Sequence, residues 1–277
     1  MSHRDHEPTQ ETLFWLPPPD IRDTIDEAES DIETGNASGE DAIRAEFDVP
    51  AGERTRGALL SAINITDLTG VIYSAGRVFD SLATSREGTE NFLRSGSLAG
   101  ISSRADLALL EDLRDVAQFI IDQHDQPIDA HYVRAVNAQI TRSGALHPGQ
   151  LRTEDQQIGV RTRYGRHTPP ALTEDDLDRL TSSRCENVTQ RALGLFVVLA
   201  KAQPFEDGNK RTALFVANSL LIGVGQMLVV PVDENGPEVS DAFSDLLAVA
   251  YLRDEHAAVK DLLREHCLID LLHNRIT

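Results

Sequence analysis

Apolar residues recur at intervals of three and four along most of the chain after residue 55, which is the spacing of helices that bury one face. This spacing predicts one or two helices up to residue 82. Further amphipathic helices are predicted over residues 106–121, 130–140, 173–180, 240–252 and 256–272. Ser103 and Thr173 each stand three residues before an aspartate, a pattern typical of helix N-termini. Six or more helices predict an all-α protein.

Two further segments, residues 188–201 and 211–222, are apolar on nearly all sides. Such a pattern is typical of helices that other elements cover on most faces. We therefore expect these two helices at the centre of the domain. Strand patterns are short, and they are confined to residues 157–164 and 227–232, where turn residues flank β-branched ones.

The first 52 residues differ in composition from the rest of the chain. Residues 17–19 are a run of three prolines, and the first fifty residues contain fourteen acidic side chains against three arginines. This composition predicts a loosely ordered arm over residues 1–52, followed by a helical domain over residues 53–277. The apolar residues 13–16 leave two roles open for the arm, a tail packed on the surface or a segment that binds a partner.

The formal charge of −19 limits the ligands that the chain can bind. A field of this sign repels nucleic-acid backbones, so we expect no DNA or RNA partner. A small phosphate ligand stays open, because a helix N-terminus and a few cations can override a distant field.

Cys185 and Cys267 lie far apart and have no spacing typical of a metal site or a disulfide framework. The chain shows no signal-peptide pattern and no apolar run of about 18 residues. We therefore expect a cytoplasmic protein with no membrane partner.

The segment between the two apolar helices carries the candidate chemistry. Pro204 should end the first helix, and Gly208 permits a positive φ and a close approach to a ligand. Lys210 and Arg211 place two cations at the N-terminus of the second helix, an end that attracts anions. Asp207 offers a hard oxygen ligand for Mg²⁺. The segment predicts a phosphate site, although a polar turn in which Asp207 caps the helix and pairs with Arg211 is an alternative.

The order of residues 203–211, Gln-Pro-Phe-Glu-Asp-Gly-Asn-Lys-Arg, resembles the signature of the Fic/Doc (Fido) family, His-x-Phe-x-Asp/Glu-Gly-Asn-Gly/Lys-Arg. Eight of its nine positions agree. Residues 147–170 look like the flap of that family, a hairpin beside the active site. The resemblance covers about residues 55–270, and it implies a Fic-type helical bundle with a short β-hairpin flap.

Fic proteins transfer AMP, and Doc-type members phosphate, from ATP to a hydroxyl of a target protein. The resemblance implies ATP and Mg²⁺ as cofactors and a target protein docked by the 147–170 flap. It assigns Asp207 to the metal, Gly208 and Asn209 to phosphate contacts, and Lys210 and Arg211 to holding the phosphates.

Two positions look more like the Doc branch of the family. Lys210 stands where AMP-transferring members usually carry glycine, and Leu214 stands where they usually carry a second arginine. Both residues favour phosphate transfer over AMP transfer.

The main departure from the signature is Gln203, which occupies the position of the histidine that takes the proton from the attacking hydroxyl. An amide accepts no proton near neutral pH, so general-base catalysis, worth about a hundredfold to ten-thousandfold, should be lost. We expect a nucleotide-binding protein with impaired or altered transfer activity. His147 or His167 as a substitute base is a minor alternative. The alternative function is an active Doc-like toxin that a small antitoxin restrains.

Residues 84–89 resemble the family's self-inhibitory motif, one residue short, with Glu87 as the inhibitory carboxylate. The usual partner of that carboxylate is the second arginine, and Leu214 occupies its position. An ordinary helix start with Glu87 in its first turn is an equal alternative.

Overall fold

The computed structural model describes residues 63–271, except residues 145, 157, 183–184 and 186. Within these ranges it contains nine α-helices, which are α1 (Thr69–Asp80), α2 (Arg86–Ser95), α3 (Arg104–Asp122), α4 (Ala130–Asn137), α5 (Glu174–Thr181), α6 (Val188–Ala202), α7 (Asn209–Ile222), α8 (Pro237–Arg253) and α9 (Ala257–His266). Short 3₁₀ turns occupy Ile65–Leu68 and Asp233–Asn235. The arm predicted over residues 1–52 lies outside the described residues.

Within the described residues, four short strands form two antiparallel pairs. Strand β1 (Val160–Thr162) pairs with β2 (Gly165–His167), and β3 (Gln226–Leu228) pairs with β4 (Leu268–Asp270). The β1–β2 hairpin falls within the predicted flap. In the described ranges, no helix combines the length and the apolar composition that a membrane span needs.

The two helices predicted to be central, α6 and α7, pack against each other along most of their length. Helices α1, α3 and α4 cover α7, while α5, α8 and α9 cover α6. Nearly every residue of α7 is buried, including the polar Thr212, Asn218 and Ser219. Burial on all sides explains why neither helix shows a polar stripe, and the prediction is confirmed.

Two predicted helix starts are also confirmed. The Ser103 hydroxyl accepts a hydrogen bond from the Asp106 N–H at 2.9 Å, before the first turn of α3. Thr173 and Asp176 form a full capping box at the start of α5. Each cap pairs backbone donors that the helix itself cannot satisfy.

The helix predicted over residues 256–272 is wrong in its last part. Helix α9 ends at His266, and Leu268–Asp270 instead form β4, with Ile269 opposite Met227. A short apolar run has the same pattern in a buried strand and in a buried helix. Here the backbone of β3 provides the hydrogen-bond partners, so the chain leaves the helix and completes a ladder.

Candidate functional site

The loop between α6 and α7 contains two residues in the left-handed region. Gln203 ends α6 with φ 45° and ψ 61°, and its N–H donates to the Leu199 carbonyl at 3.1 Å. Gly208, with φ 72°, precedes α7. A Cβ atom at position 208 would lie 2.7 Å from the Ile140 Cδ1 atom, so both the conformation and the space require glycine there.

The first turn of α7 keeps its N–H groups outside the helical ladder. No side chain caps this helix, and its first α-helical bond runs from the Thr212 N–H to the Gly208 carbonyl at 2.8 Å. The N–H groups of residues 209–211 precede that bond. They form an uncapped helix N-terminus with a partial positive charge.

Asn209 braces the loop through its side chain. Its Oδ1 accepts from the Phe205 N–H at 2.8 Å, and its Nδ2 donates to the Phe205 carbonyl at 2.9 Å. Phe205 itself is 1% exposed. The side chain of Asn209 is therefore used within the loop, which leaves its backbone N–H for the predicted phosphate contact.

Asn137, at the end of α4, connects the loop between α6 and α7 to neighbouring segments by hydrogen bonds. Its Nδ2 donates to the Asp207 carbonyl and to the Thr212 hydroxyl, and its Oδ1 accepts from the Gly149 N–H at 2.8 Å. The side chain is buried. Sequence reasoning missed this residue, and the signal was a polar residue closing the apolar face of a predicted helix.

Arg152 connects the base of the flap to the loop between α6 and α7 by hydrogen bonds. Its Nε donates to the Gln203 carbonyl at 2.8 Å, and its Nη2 donates to the carbonyls of Pro169 and Pro170. The Arg152 N–H donates to the Pro204 carbonyl at 2.9 Å. Burial lowers the pKa of the Arg152 guanidinium. These contacts are with carbonyls, so the cation brings net positive charge to the loop.

Arg211 lies at the bottom of the site, 2% exposed. Its Nε is 3.2 Å from Asp80 Oδ2, its Nη2 is 3.6 Å from Asp207 Oδ2, and its Nη1 donates to the Ser143 hydroxyl at 2.8 Å. Asp80 ends α1 and was missed in the sequence. The one signal was its position, since a carboxylate at a helix C-terminus opposes the helix dipole.

The Ser143 hydroxyl is held in turn by Asp112 of α3. The Asp112 carboxylate is fully buried and accepts from the Ser143 hydroxyl at 2.7 Å and from the N–H groups of residues 141–143. Burial alone would raise the pKa of Asp112, but these hydrogen bonds outweigh burial and lower it. Asp112 thus fixes the loop that supports Arg211.

Charges of both signs meet around the site. Burial raises the pKa of the Asp80 carboxyl and lowers that of the Lys210 ammonium. Lys210 Nζ also lies 5.5 Å from the centre of the Phe79 ring. Asp207 is more than half exposed, and its Oδ1 accepts from the Gly208 N–H at 2.6 Å.

These groups border an open hollow of about 220 Å³. Its walls are Phe79, Asp80, residues 158–160 of the flap, Gln203 and residues 206–211. The predicted site residues of the loop therefore converge on one space.

A second hollow of about 220 Å³ adjoins the first and shares Phe79, Val160 and Lys210 with it. Its walls combine the rings of Phe243 and Tyr251 with charged side chains, among them Arg161, Arg163 and Asp245. The buried Tyr251 hydroxyl has no hydrogen-bond partner within the described residues, and burial raises its pKa. A buried hydroxyl without a partner is costly, so this hollow suits a ligand with a polar group.

Other predicted residues lie away from the first hollow. His147 Nδ1 is 3.3 Å from Glu206 Oε2, and His167 Nε2 is 2.8 Å from the Lys201 carbonyl oxygen. Neither histidine borders the hollow. Glu87 is exposed in the first turn of α2, and the described carboxylates in contact with Arg211 are Asp80 and Asp207.

Residues 116–221, which include the loop and both central helices, match the model of the Fic/DOC family. This segment is a Fic/DOC family domain. The chain is similar to a Fic domain containing signaling protein from Bacteroides thetaiotaomicron, at 14% identity and a TM-score of 0.53 over 76% of this chain and 88% of that one. It is also similar to a fragment of Fic-1 from C. elegans, at 18% identity and a TM-score of 0.56 over 89% of this chain and 72% of that one. These likenesses show the Fic fold.

A shorter similarity links the chain of this Fic domain to Antitoxin RelF of Mycobacterium tuberculosis. The two are 59% identical over 44 residues, which are 16% of this chain. The chain spans about half, 47%, of the length of that relative.

The predicted fold, an all-α Fic-type helical bundle with a short β-hairpin flap, is confirmed for the described residues. The structure also brings together the predicted site residues of the Fic domain loop from Gln203 to Arg211. The roles assigned to these residues, the ATP and Mg²⁺ cofactors and the cytoplasmic location stay predictions.

Proposed function

We propose that the Fic domain binds the phosphate groups of ATP in the hollow around Arg211 and that Gln203 leaves it with impaired or altered transfer activity. The observation that carries this proposal is the uncapped first turn of α7, which borders the hollow together with Lys210 and Arg211. Free N–H groups, a helix dipole and two cations are the features that proteins use to bind phosphates.

The local charges favour a phosphate. Basic side chains at a helix N-terminus oppose the helix dipole unless an anion lies beside them. Burial lowers the pKa of Lys210, with only Asp80 opposing it. A phosphate would compensate Lys210 and accept hydrogen bonds from the N–H groups of residues 209–211.

Asp207 suits a Mg²⁺ ion that bridges protein and phosphate. Its carboxylate is exposed to the hollow and supplies hard oxygen ligands. Within the described ranges, at Asp207 as elsewhere, no group of three or more His, Cys, Asp or Glu side chains converges to hold a metal without a ligand's help. Mg²⁺ often binds through one carboxylate and the phosphates of a substrate, which is the chemistry that Asp207 offers.

The adjoining hollow supports a nucleoside rather than free phosphate. It shares Lys210 and the partly exposed Phe79 with the phosphate site, so a base bound there would lie next to the phosphates. The Tyr251 hydroxyl can donate to a ring nitrogen or accept from an amino group. The two hollows together have room for both parts of ATP.

Gln203 determines the proposed chemistry. Transfer forms a bond between a target hydroxyl oxygen and a phosphorus of ATP and breaks a phosphoanhydride bond, so that pyrophosphate leaves in AMP transfer and ADP leaves in phosphate transfer. The hydroxyl proton must pass to a base. The Gln203 amide orients a hydroxyl by hydrogen bonds but accepts no proton. Binding groups such as Lys210 and the helix N-terminus act independently of that base.

The target would dock at the flap. Strand β1 pairs with β2 along one edge, and within the described residues no strand pairs with its other edge. An extended segment of a target protein can add to such an edge through backbone hydrogen bonds. Val160 of β1 borders the hollow, so a segment bound there would lie beside the phosphates.

A second candidate function is an active Doc-like toxin restrained by an antitoxin. The 44 residues similar to Antitoxin RelF favour a toxin–antitoxin setting. Expression of the chain in bacteria tests this candidate. Growth arrest that disappears with Asp207→Ala would support this candidate. Normal growth would contradict it and leave ATP binding as the proposed function.

Titration calorimetry of ATP and ADP with Mg²⁺ tests the proposed function. The unaltered protein should bind ATP with micromolar affinity. Asp207→Ala and Lys210→Gln should each weaken binding about tenfold or more, because each removes a charged contact worth about 1.5–3 kcal/mol. Arg179→Gln, a change at an exposed side chain of α5, is the matched control and should have no effect. Absence of binding by the unaltered, folded protein would refute the proposal.

A further inference from the structure

A separate hollow of about 320 Å³ lies between α6 and α9. Its walls include Gln190 and Arg191 of α6, His256 and Lys260 at the start of α9, and Cys185. None of these residues borders the two hollows beside Arg211. Neither the proposed ATP site nor the flap includes this hollow.

The cations of this hollow have no acidic partner among the described residues. Neither Arg191 nor Lys260 forms an ion pair there, and the buried Nε of Arg191 has no hydrogen-bond partner. The other contact of Arg191 is a long one, 3.5 Å from Nη2 to the Thr181 carbonyl. In a chain with a formal charge of −19, two neighbouring cations without a carboxylate are unusual, because acidic side chains are in excess.

His256 is a further polar side chain of the hollow, and it has an acidic partner. Its Nε2 lies 3.0 Å from Asp254 Oδ1, and Asp254 also pairs with Lys201. Burial lowers the pKa of His256, and the nearby Lys201 and Lys260 lower it further against the effect of Asp254.

The N-terminus of α9 faces the same space. His256 is its N-cap residue and forms no side-chain cap, and the helix has ten residues. Lys260 lies one turn into the helix on the same side as His256, where a cation opposes the helix dipole unless an anion is near. The unpartnered Nε of Arg191, the two cations and the uncapped N-terminus of α9 therefore converge on one missing group.

We propose that this hollow binds a small polyanion carrying phosphate groups, held by Arg191, Lys260 and the N-terminus of α9. Arg191 offers a planar set of donors that matches phosphate oxygens, and Lys260 adds a compact charge. The site is independent of the ATP site, so either can exist without the other.

Cys185 makes the proposal testable because it borders the hollow and is exposed, whereas Cys267 is buried. The experiment measures the rate at which iodoacetamide, a neutral reagent, alkylates Cys185 in the full chain, followed by intact mass. Inorganic pyrophosphate is the probe, citrate tests carboxylates as an alternative, and sodium chloride at matched ionic strength controls for screening.

Pyrophosphate should slow alkylation severalfold in the unaltered protein and in Lys210→Gln, in which the ATP site is weakened. Protection should disappear in Arg191→Gln and in Lys260→Gln, but persist in Arg179→Gln. Thermal unfolding of each variant verifies that it folds, and in a Lys210→Gln background, in which the ATP site is weakened, pyrophosphate should raise the midpoint only where Arg191 and Lys260 are intact. Equal alkylation with and without pyrophosphate, protection only by citrate, or protection that survives both substitutions would overturn the proposal.

Discussion

The Nε atom of Arg211 lies 3.2 Å from the Oδ2 atom of Asp80, at the bottom of the candidate phosphate site. The two residues come from α7 and α1, more than a hundred positions apart in the chain. Asp80 is therefore a carboxylate of the protein itself that lies where a phosphate oxygen would approach the Arg211 guanidinium. Burial raises the pKa of Asp80, which means that the ionised carboxylate is costly there even with Arg211 beside it.

This relationship predicts that Asp80→Asn strengthens ATP binding. Removal of the competing negative charge should raise affinity about tenfold, which corresponds to about 1.4 kcal/mol. Calorimetric titration with and without Mg²⁺ measures the change. Asp122→Asn is the matched control, because Asp122 also ends a helix but does not border the hollow and is hydrogen-bonded only to Gln118 among the described residues. Unchanged or weaker ATP binding by Asp80→Asn would show that Asp80 does not compete.

A second prediction concerns the missing base. Gln203→His should switch on transfer to a target hydroxyl by about a hundredfold or more, the usual effect of general-base catalysis. The position suits histidine, because its φ of 45° lies in the left-handed region, where histidine and asparagine occur more often than most side chains. ATP labelled on the α or the γ phosphate would distinguish AMP transfer from phosphate transfer.

Gln203→Asn is the control for this experiment, since asparagine tolerates the same backbone conformation but accepts no proton. It should stay inactive. Robust transfer by the unaltered protein that is lost in Gln203→Ala would contradict the assignment of Gln203 as an impaired catalytic position.

Arg152 provides a third prediction, about stability. Arg152→Met should lower the free energy of unfolding by about 3 kcal/mol, because it leaves the carbonyls of Gln203, Pro169 and Pro170 without their donor. Urea denaturation measures the difference. Arg179→Met, at a side chain that is 73% exposed, should change stability by less than about 0.5 kcal/mol. Equal stability of the two variants would mean that the flap does not depend on Arg152.

The fold was largely predictable because its signals are local. The all-round apolarity of residues 188–201 and 211–222 requires cover on every side, and that requirement places both helices at the centre. The strand β4 was not predictable, since Leu268–Asp270 is apolar enough for either state and only β3, forty residues earlier, decides between them.

The candidate site likewise has a part that the sequence predicts and a part that it does not. Residues 203–211 are contiguous, so their order alone indicated a phosphate loop. The side chains that hold the loop, among them Asp80, Asn137 and Arg152, come from three separate segments. Asp80 and Asn137 have no motif around them, and Arg152 lies in the predicted flap without a role that the flap pattern assigns. Only the packing of the fold shows that these side chains reach the loop.

The last prediction concerns pH and Asp112. The folded-state pKa of Asp112 is lowered, so its ionised form contributes stability above the unfolded value, near 3.9, and this contribution is lost as pH falls through the folded value. Asp112→Asn should therefore lower the free energy of unfolding at neutral pH by about 1–3 kcal/mol, the cost of hydrogen bonds to a charged group. The difference from the unaltered protein should stay constant down to about pH 5 and shrink below about pH 4. Urea denaturation across this range measures it, with exposed Asp122→Asn as the control. A difference that does not change with pH would mean that Asp112 supports Ser143, and through it Arg211, by shape rather than by charge.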